Sequence, residues 1–432
     1  MSTVRVRTAD GPVIADVVVP PSKSITNRAL VCAALADGES EVVGLAPGDD
    51  STAMIDCLEA LGIAIGVAER DGRRAAIVGG TGGDLPVGPI RLDARLAGTT
   101  SRFITAVAAL GRGPYVVDGE PPLRKRPMAP LHESLHSLGA VLQHGEERGH
   151  LPVTITGPVG GADALMMPGD VSSQYVSALM LIAPLIRDGM RLGLSTKLVS
   201  RPYVEITKSV MQSFGATGVE VGERRIHVDE SAYVPTVYDV EPDASSASYP
   251  LAAAAMAGGA VTVRGLGRDS LQGDAVFVDV LERMGCRVVV GDRHTVVTRR
   301  PDEALTGLHI DMADISDLVP TMAVLATQAS SPTRITGVGF IRRKESDRLG
   351  DLAAEMSKTG ASVEVEDDGL LVTPVAELRG ARLATHHDHR LAMAFGLLGL
   401  VVDGIEVADP DVVTKSWPDF WDALDAIPAR PV

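Results

Sequence analysis

The chain has 432 residues, more than one hydrophobic core ordinarily organises, so two domains are expected. Hydrophobic residues make up 45%, ample for packed cores, but aromatics are only 3% and offer no stacking platform for single-stranded nucleic acid. A formal net charge of −16 repels a phosphate backbone, so nucleic acid is excluded as a general partner, and any anionic ligand must be held by local cations against the overall field.

The N-terminal stretch MSTVRVRTADGPV has no apolar signal core, and no run of about 18 apolar residues occurs, so a cytoplasmic protein without a membrane span is expected. The first strong element is PPSKSITNRALVCAALADG, residues 20–38. Pro-Pro-Ser is a good helix entry, yet Lys23 and Arg28 fall in the first two turns, where the helix dipole favours acids. Similar starts follow: GTTSRFITAVAALG from Gly98, SSQYVSALMLIAPL from Ser172, SSASYPLAAAAMAGG from Ser245, SDLVPTMAVLATQAS from Ser316 and DHRLAMAFGLLGL from Asp388. With Ser22 as the first, successive starts lie 71–76 residues apart, and six copies fill the chain. After the first five copies comes an amphipathic segment ending at Gly62, Gly139, Gly215, Gly285 or Gly360, the residue best suited to a left-handed helix cap. Runs such as AAIVGG, VTITG, RIHVD, TVVTR and LLVTP then read as strands. The unit is two helices plus a few strands, and six such α/β units divide naturally into two lobes of three.

The first helix of each unit is apolar nearly all round and should be buried, leaving its polar start to meet solvent or ligand. Helix starts expose free N–H groups and positive potential, so several of them converging on one cleft would bind a multiply anionic small molecule. Cations gather at the same places: Lys23 and Arg28, Arg102, Arg124 to Arg126, Arg342 to Lys344 with Arg348, Arg390, and Lys415. Asp317 and Glu345 are the acid/base candidates, although a helix cap or a salt bridge would also explain them. HESLH (132–136) matches a zinc-protease pattern, but its helix is barely two turns long and lacks a third ligand; HHDH (386–389) reads better as a helix cap with Arg390 beside it. Cys32, Cys57 and Cys286 lie far apart in apolar runs, as reduced core residues do.

PSKSITNRALVCAALA, AGTTSRF, GEPPLRKRPM, GDVSSQYVSALM, RKESDR and DHRLAMAF, in this order, resemble the signature segments of the enolpyruvylshikimate phosphate synthases over almost the whole chain. The resemblance implies a two-lobed α/β enolpyruvyl transferase-like fold, each lobe three βαβαββ units with buried parallel helices. Lobe one would span residues 21–238, and lobe two 1–20 with 239–432. It implies transfer of the enolpyruvyl group of phosphoenolpyruvate to the 5-hydroxyl of shikimate 3-phosphate, with loss of inorganic phosphate, by a monomer needing neither cofactor nor metal. Ser24, Arg28, Ser172, Ser173, Ser200 and Tyr203 are implied as shikimate 3-phosphate contacts. Gly98, Arg126, Arg348, Arg390 and Lys415 are implied for phosphoenolpyruvate, and Lys23 and Gln174 for both. Asp317 and Glu345 are implied in proton transfer with Lys23 assisting; Asp317 and Lys344 also lie on the shikimate side, and Arg102 stands behind the phosphoenolpyruvate contacts.

Three positions depart from the family pattern: Leu96 and Phe340 each replace a usual Asn, and Arg201 replaces a usual Lys. Phe340 removes an amide contact to the shikimate phosphate; turnover is expected to survive, and the effect on glyphosate-like inhibitors is not legible. The alternative is the sister enzyme that uses a UDP-amino sugar, but the loop 110–128 lacks that family's reactive Cys.

Overall fold

The structure is a computed structural model and describes residues 2–161 and 164–427. The chain forms two compact units. One is residues 21–241; the other joins the segment up to Pro20 to everything from Pro242 on. Each has its own core of buried aliphatic side chains.

The six apolar helices form where the repeat puts them: Lys23–Leu35, Gly98–Ala108 and Ser173–Ile182 in the first unit, and Ala244–Ala257, Val319–Ala326 and His389–Gly399 in the second. Their burial is nearly complete; every residue from Ile25 to Leu35 is buried. The amphipathic helices lie outside them, Asp49–Ala60 and Ala129–Ser137 for example, and their glycines do the capping work. Gly62, Gly139, Gly215, Gly285 and Gly360 all have φ between +84° and +109°. Gly62 N–H bonds Glu59 O while Ile63 N–H bonds Leu58 O, the double bond pattern of a left-handed C-terminal cap.

Among the described residues there are six small mixed sheets, three per unit. In four of them the strand before an inner helix pairs in parallel with the strand after it, as in Ile90–Asp93 with Tyr115–Asp118 around the Gly98 helix, and antiparallel pairing completes the sheet. Two repeats borrow their first strand. Val237–Asp239 pairs in parallel with Glu41–Val43, so the chain stays in the first unit until Glu241 rather than leaving it at 238. In return, Val13–Val17 pairs in parallel with Gly259–Val263 in the second unit. The sixth repeat takes Thr3–Arg5 as its antiparallel strand, against Glu406–Ala408.

Candidate active site

In the second unit the polar ends of the inner helices meet around Arg348, whose side chain is only 2% exposed. Its Nε donates to Asp388 Oδ2 (2.7 Å), Nη1 to Asp317 Oδ1 (2.8 Å) and Nη2 to Glu345 Oε2 (2.7 Å). The second oxygen of Asp317 accepts from Arg390 Nη2 at 2.8 Å, and Lys344 Nζ stands 3.7 Å from Oδ1. Lys415 Nζ donates to Glu345 Oε1 at 3.3 Å. Four cations thus face three carboxylates, and the cluster keeps a surplus of positive charge.

Local structure sets these positions. Asp317 lies in the 3-10 turn Ser316–Leu318, ahead of the Val319 helix with Pro320 in its first turn, so it is not a plain N-cap. Asp388 is the N-cap: it accepts from Arg390 N–H at 2.9 Å while also gripping Arg348. Burial alone would push the Asp317 carboxyl up, but Arg390, Lys344 and Arg348 hold it well below the usual carboxylate range. Arg348 is likewise disfavoured by burial, yet Asp388, Glu345 and Asp317 reverse this and strengthen its charge. Phe340 lies beside the set, with Lys344 Nζ 5.8 Å from its ring centroid, a cation–π distance in place of an amide hydrogen bond.

The first unit holds the remaining predicted residues. Lys23 Nζ donates to Asp50 Oδ2 at 2.9 Å; Asp50 sits in the first turn of the neighbouring helix and answers the cation that the Lys23 helix does not balance itself. Arg28 is buried with neutral partners. Nε donates to Thr207 Oγ1 (2.7 Å), Nη1 to Ser24 O (2.7 Å), and Nη2 to Tyr203 O (3.1 Å) and Ser177 Oγ (3.2 Å). Burial pulls it down to about 10. Ser24, Arg28 and Tyr203 therefore form one direct group, and Ser200, at φ +51°, precedes the helix Arg201–Ser213 that carries Tyr203. Ser172 caps the Ser173 helix through Gln174 N–H, and Gln174 Nε2 donates to Thr99 Oγ1 at 3.2 Å.

At Gly98 the reason for glycine is close approach: a Cβ there would meet Arg126 Nη1 at 2.4 Å and Arg102 Nη1 at 2.8 Å. Arg102 donates to Gly98 O at 2.7 Å and lies over the Tyr175 ring, holding the turn from behind.

Sequence reasoning missed several supports. HHDH already reads as a cap at Asp388, but nothing there shows that the same carboxylate grips Arg348. Asp50 carried a weaker one in a helix first turn. Ser177 and Thr207 carried none, because they meet Arg28 only through contacts 149 and 179 residues away.

The metal-like patterns take other roles. His132 packs on the His144 ring at 5.2 Å between centroids, and burial with the neighbouring cationic groups drops it to about 3. His386 pairs with Glu355. Among the described residues no group of three or more His, Cys, Asp or Glu is placed to hold a metal. The three cysteines are free and buried, and burial pushes Cys32 and Cys57 up to about 12 and Cys286 to about 11.

Comparison with solved structures places this architecture among two-domain enolpyruvyl transferases. EPSP synthase from Acinetobacter baumannii superposes with a TM-score of 0.80 at 24% identity, covering 98% of both chains. The enolpyruvyl transferase NikO from Streptomyces tendae gives 0.75 at 18%, covering 99% of this chain and 97% of its own. Sequence narrows the class: the model of the EPSP synthase (3-phosphoshikimate 1-carboxyvinyltransferase) family matches residues 8–424, and the chain belongs to that family. A 3-phosphoshikimate 1-carboxyvinyltransferase of Nostoc sp. is 40% identical over 422 residues, 98% of each chain. One from Methanoculleus marisnigri is 41% identical over 415 residues, covering 96% of this chain and 97% of the relative.

Proposed function

We propose that this chain transfers the enolpyruvyl group of phosphoenolpyruvate to the 5-hydroxyl of shikimate 3-phosphate and releases inorganic phosphate, a step toward aromatic amino acids. Family membership and the named relatives, matched over nearly their full length, support the reaction and disfavour the UDP-amino sugar alternative. The observation that carries the residue roles is the gathering of Asp317 and Glu345 on one buried guanidinium, Arg348, with Lys344, Arg390 and Lys415 around them. A reaction between two polyanions needs such a surplus of fixed cations, and it needs carboxyl groups that can pass a proton both ways.

In this reading Arg348, Arg390, Lys415 and Arg126 hold phosphoenolpyruvate, with the backbone at Gly98. Ser24, Arg28, Ser172, Ser173, Ser200, Tyr203 and Lys344 hold shikimate 3-phosphate, and Lys23 and Gln174 serve both. Glu345 stands toward the methylene carbon, where a proton is added as the 5-hydroxyl oxygen bonds to C2. Asp317 takes the hydroxyl proton, with Lys23 assisting. The tetrahedral adduct then loses a methyl proton and phosphate, restoring the double bond. Asp317, held ionised by its cations, suits the base. A cytoplasmic monomer using no cofactor or metal belongs to the same proposal; buried, free cysteines fit a reducing compartment.

The test is phosphate release from phosphoenolpyruvate with and without shikimate 3-phosphate, in the wild type and in Asp317→Ala. Release that requires the shikimate substrate, and falls about 10²–10⁴-fold in the variant, is expected. Release independent of that substrate, or near-full turnover in Asp317→Ala, removes the reading.

A further inference from the structure

The segment ATHHD, residues 384–388, grips Arg348 through its last residue, but the rest of it has no role in the site described above. Its backbone is unusual. Asp388 N–H bonds Thr385 O at 2.8 Å, closing a four-residue turn, and both central residues are left-handed, His386 at φ +50° and His387 at φ +59°. Two positive φ values in succession mark a type I′ turn, which Gly, Asn and Asp ordinarily supply. Histidine can enter this region, but such residues persist only where their surroundings over-determine them, and they cluster at functional sites. One helix, Gly350–Lys358, supplies those surroundings at both ends of the segment. Buried Glu355 accepts from Ala384 N–H through Oε2 at 2.8 Å, and its Oε1 stands 3.0 Å from His386 Nε2. Asp351, one turn earlier, lies 3.7 Å from His386 Nδ1, and Lys358 Nζ donates to Glu355 Oε2 at 2.5 Å. At the other end Arg348, just ahead of the same helix, takes Asp388 with two donors, Nε at 2.7 Å and Nη2 at 3.3 Å, while Ser346 Oγ donates to Asp388 Oδ2 at 3.0 Å.

We infer that Glu355 and His386 are positioning residues for the reaction: they hold the turn 385–388 in its left-handed form, and the turn presents Asp388 to Arg348, fixing the guanidinium that meets phosphoenolpyruvate, Asp317 and Glu345. The geometry leaves little slack. Asp388 follows directly on the two left-handed residues, and it also caps the His389 helix through Arg390 N–H at 2.9 Å. A turn that relaxes to negative φ must carry its carboxylate off Arg348 or break that cap. Two parallel donors on one carboxylate are also demanding in direction, so a small displacement of Asp388 turns the Arg348 plane. Glu355 spends both oxygens on this segment and on Lys358, and touches neither Arg348 nor Asp317 by any of these bonds; its reach to the site runs through the turn.

The inference rests on Arg348 holding phosphoenolpyruvate, and the experiment separates the two. Steady-state kcat and KM for both substrates are measured, with Tm, for the wild type, Glu355→Ala, Asp388→Asn, the double variant and His386→Gly. Glu355→Ala is expected to raise KM for phosphoenolpyruvate and to lower kcat, each about three- to tenfold, with KM for shikimate 3-phosphate unchanged. Asp388→Asn keeps a helix cap and should show the same pattern more strongly. Because Glu355 acts through Asp388, the double variant should lose no more than about twofold in kcat/KM beyond Asp388→Asn alone. His386→Gly still suits the left-handed turn but drops the tie to Glu355, and should shift the same two constants about two- to threefold. A lower Tm with both constants unchanged in Glu355→Ala, or losses that multiply in the double variant, makes Glu355 a support of the fold alone and overturns the inference. If Glu355→Ala does not fold, unchanged constants in His386→Gly overturn it. Unchanged constants in Asp388→Asn instead overturn the role of Arg348 beneath it.

Discussion

Arg28, on an inner helix of the first unit, and Arg348, just ahead of the Gly350–Lys358 helix of the second, are both buried guanidiniums, and they are treated in opposite ways. Arg348 is ringed by three carboxylates that strengthen its charge; Arg28 has two hydroxyls and two carbonyls, and its charge is weakened to about 10. Neutral acceptors satisfy geometry without neutralising charge. In the proposed reading Arg28 meets an outside anion with a charge that its neutral partners leave whole, whereas Arg348 meets phosphoenolpyruvate while also fixing three carboxylates in place. Binding charge and chemical charge are built differently, although the helix scaffold beneath them is the same repeat.

The largest effect should come from the chemical side. Glu345→Gln keeps the shape and the acceptor for Arg348 but cannot shuttle a proton, so kcat should fall about 10²–10⁴-fold while both substrates still bind by calorimetry. Loss of shikimate 3-phosphate binding without loss of kcat would place Glu345 on the binding side and dissolve the distinction. Stability sharpens it next. Arg348→Met leaves three carboxylates facing one another, and removing one partner of such a buried set costs about 3–5 kcal/mol. Arg28→Met leaves only hydroxyls and carbonyls short of a donor, about 1–3 kcal/mol, but should weaken shikimate 3-phosphate binding at least about tenfold. Equal losses in denaturant midpoint for the two variants would break the contrast.

Much of this was legible in sequence because it is periodic or local. The repeat start at Ser172 gave a helix whose Ser172 cap is seen in place, and the five glycines named as caps all sit left-handed. What stayed hidden is long-range. Nothing near Thr207 or Ser177 says that they hold Arg28. The start at Ser316 misled in detail: a 3-10 turn precedes the helix there, and that turn frees Asp317 from capping so that it can meet Arg348 and Arg390. The strand exchange between Val13–Val17 and Val237–Asp239 is invisible to a repeat count, since borrowed strands keep their period.

A smaller effect concerns pH and the first unit. His132 is held down to about 3 by burial and then by His144, His150 and Arg102, against an ordinary 6.5. The unfolded chain binds this proton first, so the contribution is full above about pH 6.5 and is lost as pH falls toward 3. Each pH unit in that window costs at most about 1.4 kcal/mol. His132→Phe should flatten the fall of Tm between pH 7 and 4 relative to wild type, and an unchanged slope would show that the ring is not buried in its neutral form.

The smallest effect tests whether the binding side is set by backbone as well as by charge. Gly98→Ala puts a methyl 2.4 Å from Arg126 Nη1 and 2.8 Å from Arg102 Nη1. Arg102 is tied to Gly98 O and Pro127 O, and displacement of the half-buried Arg126 is the change this variant is meant to produce. No charge is removed and no carboxylate is touched. The expected result is a rise of about three- to tenfold in KM for phosphoenolpyruvate, the cost of a displaced charged contact, with kcat within about twofold and KM for shikimate 3-phosphate unchanged. An equal rise in both KM values would mean that the whole helix start has shifted, and that the close packing of Arg126 on Gly98 serves the fold and not one substrate.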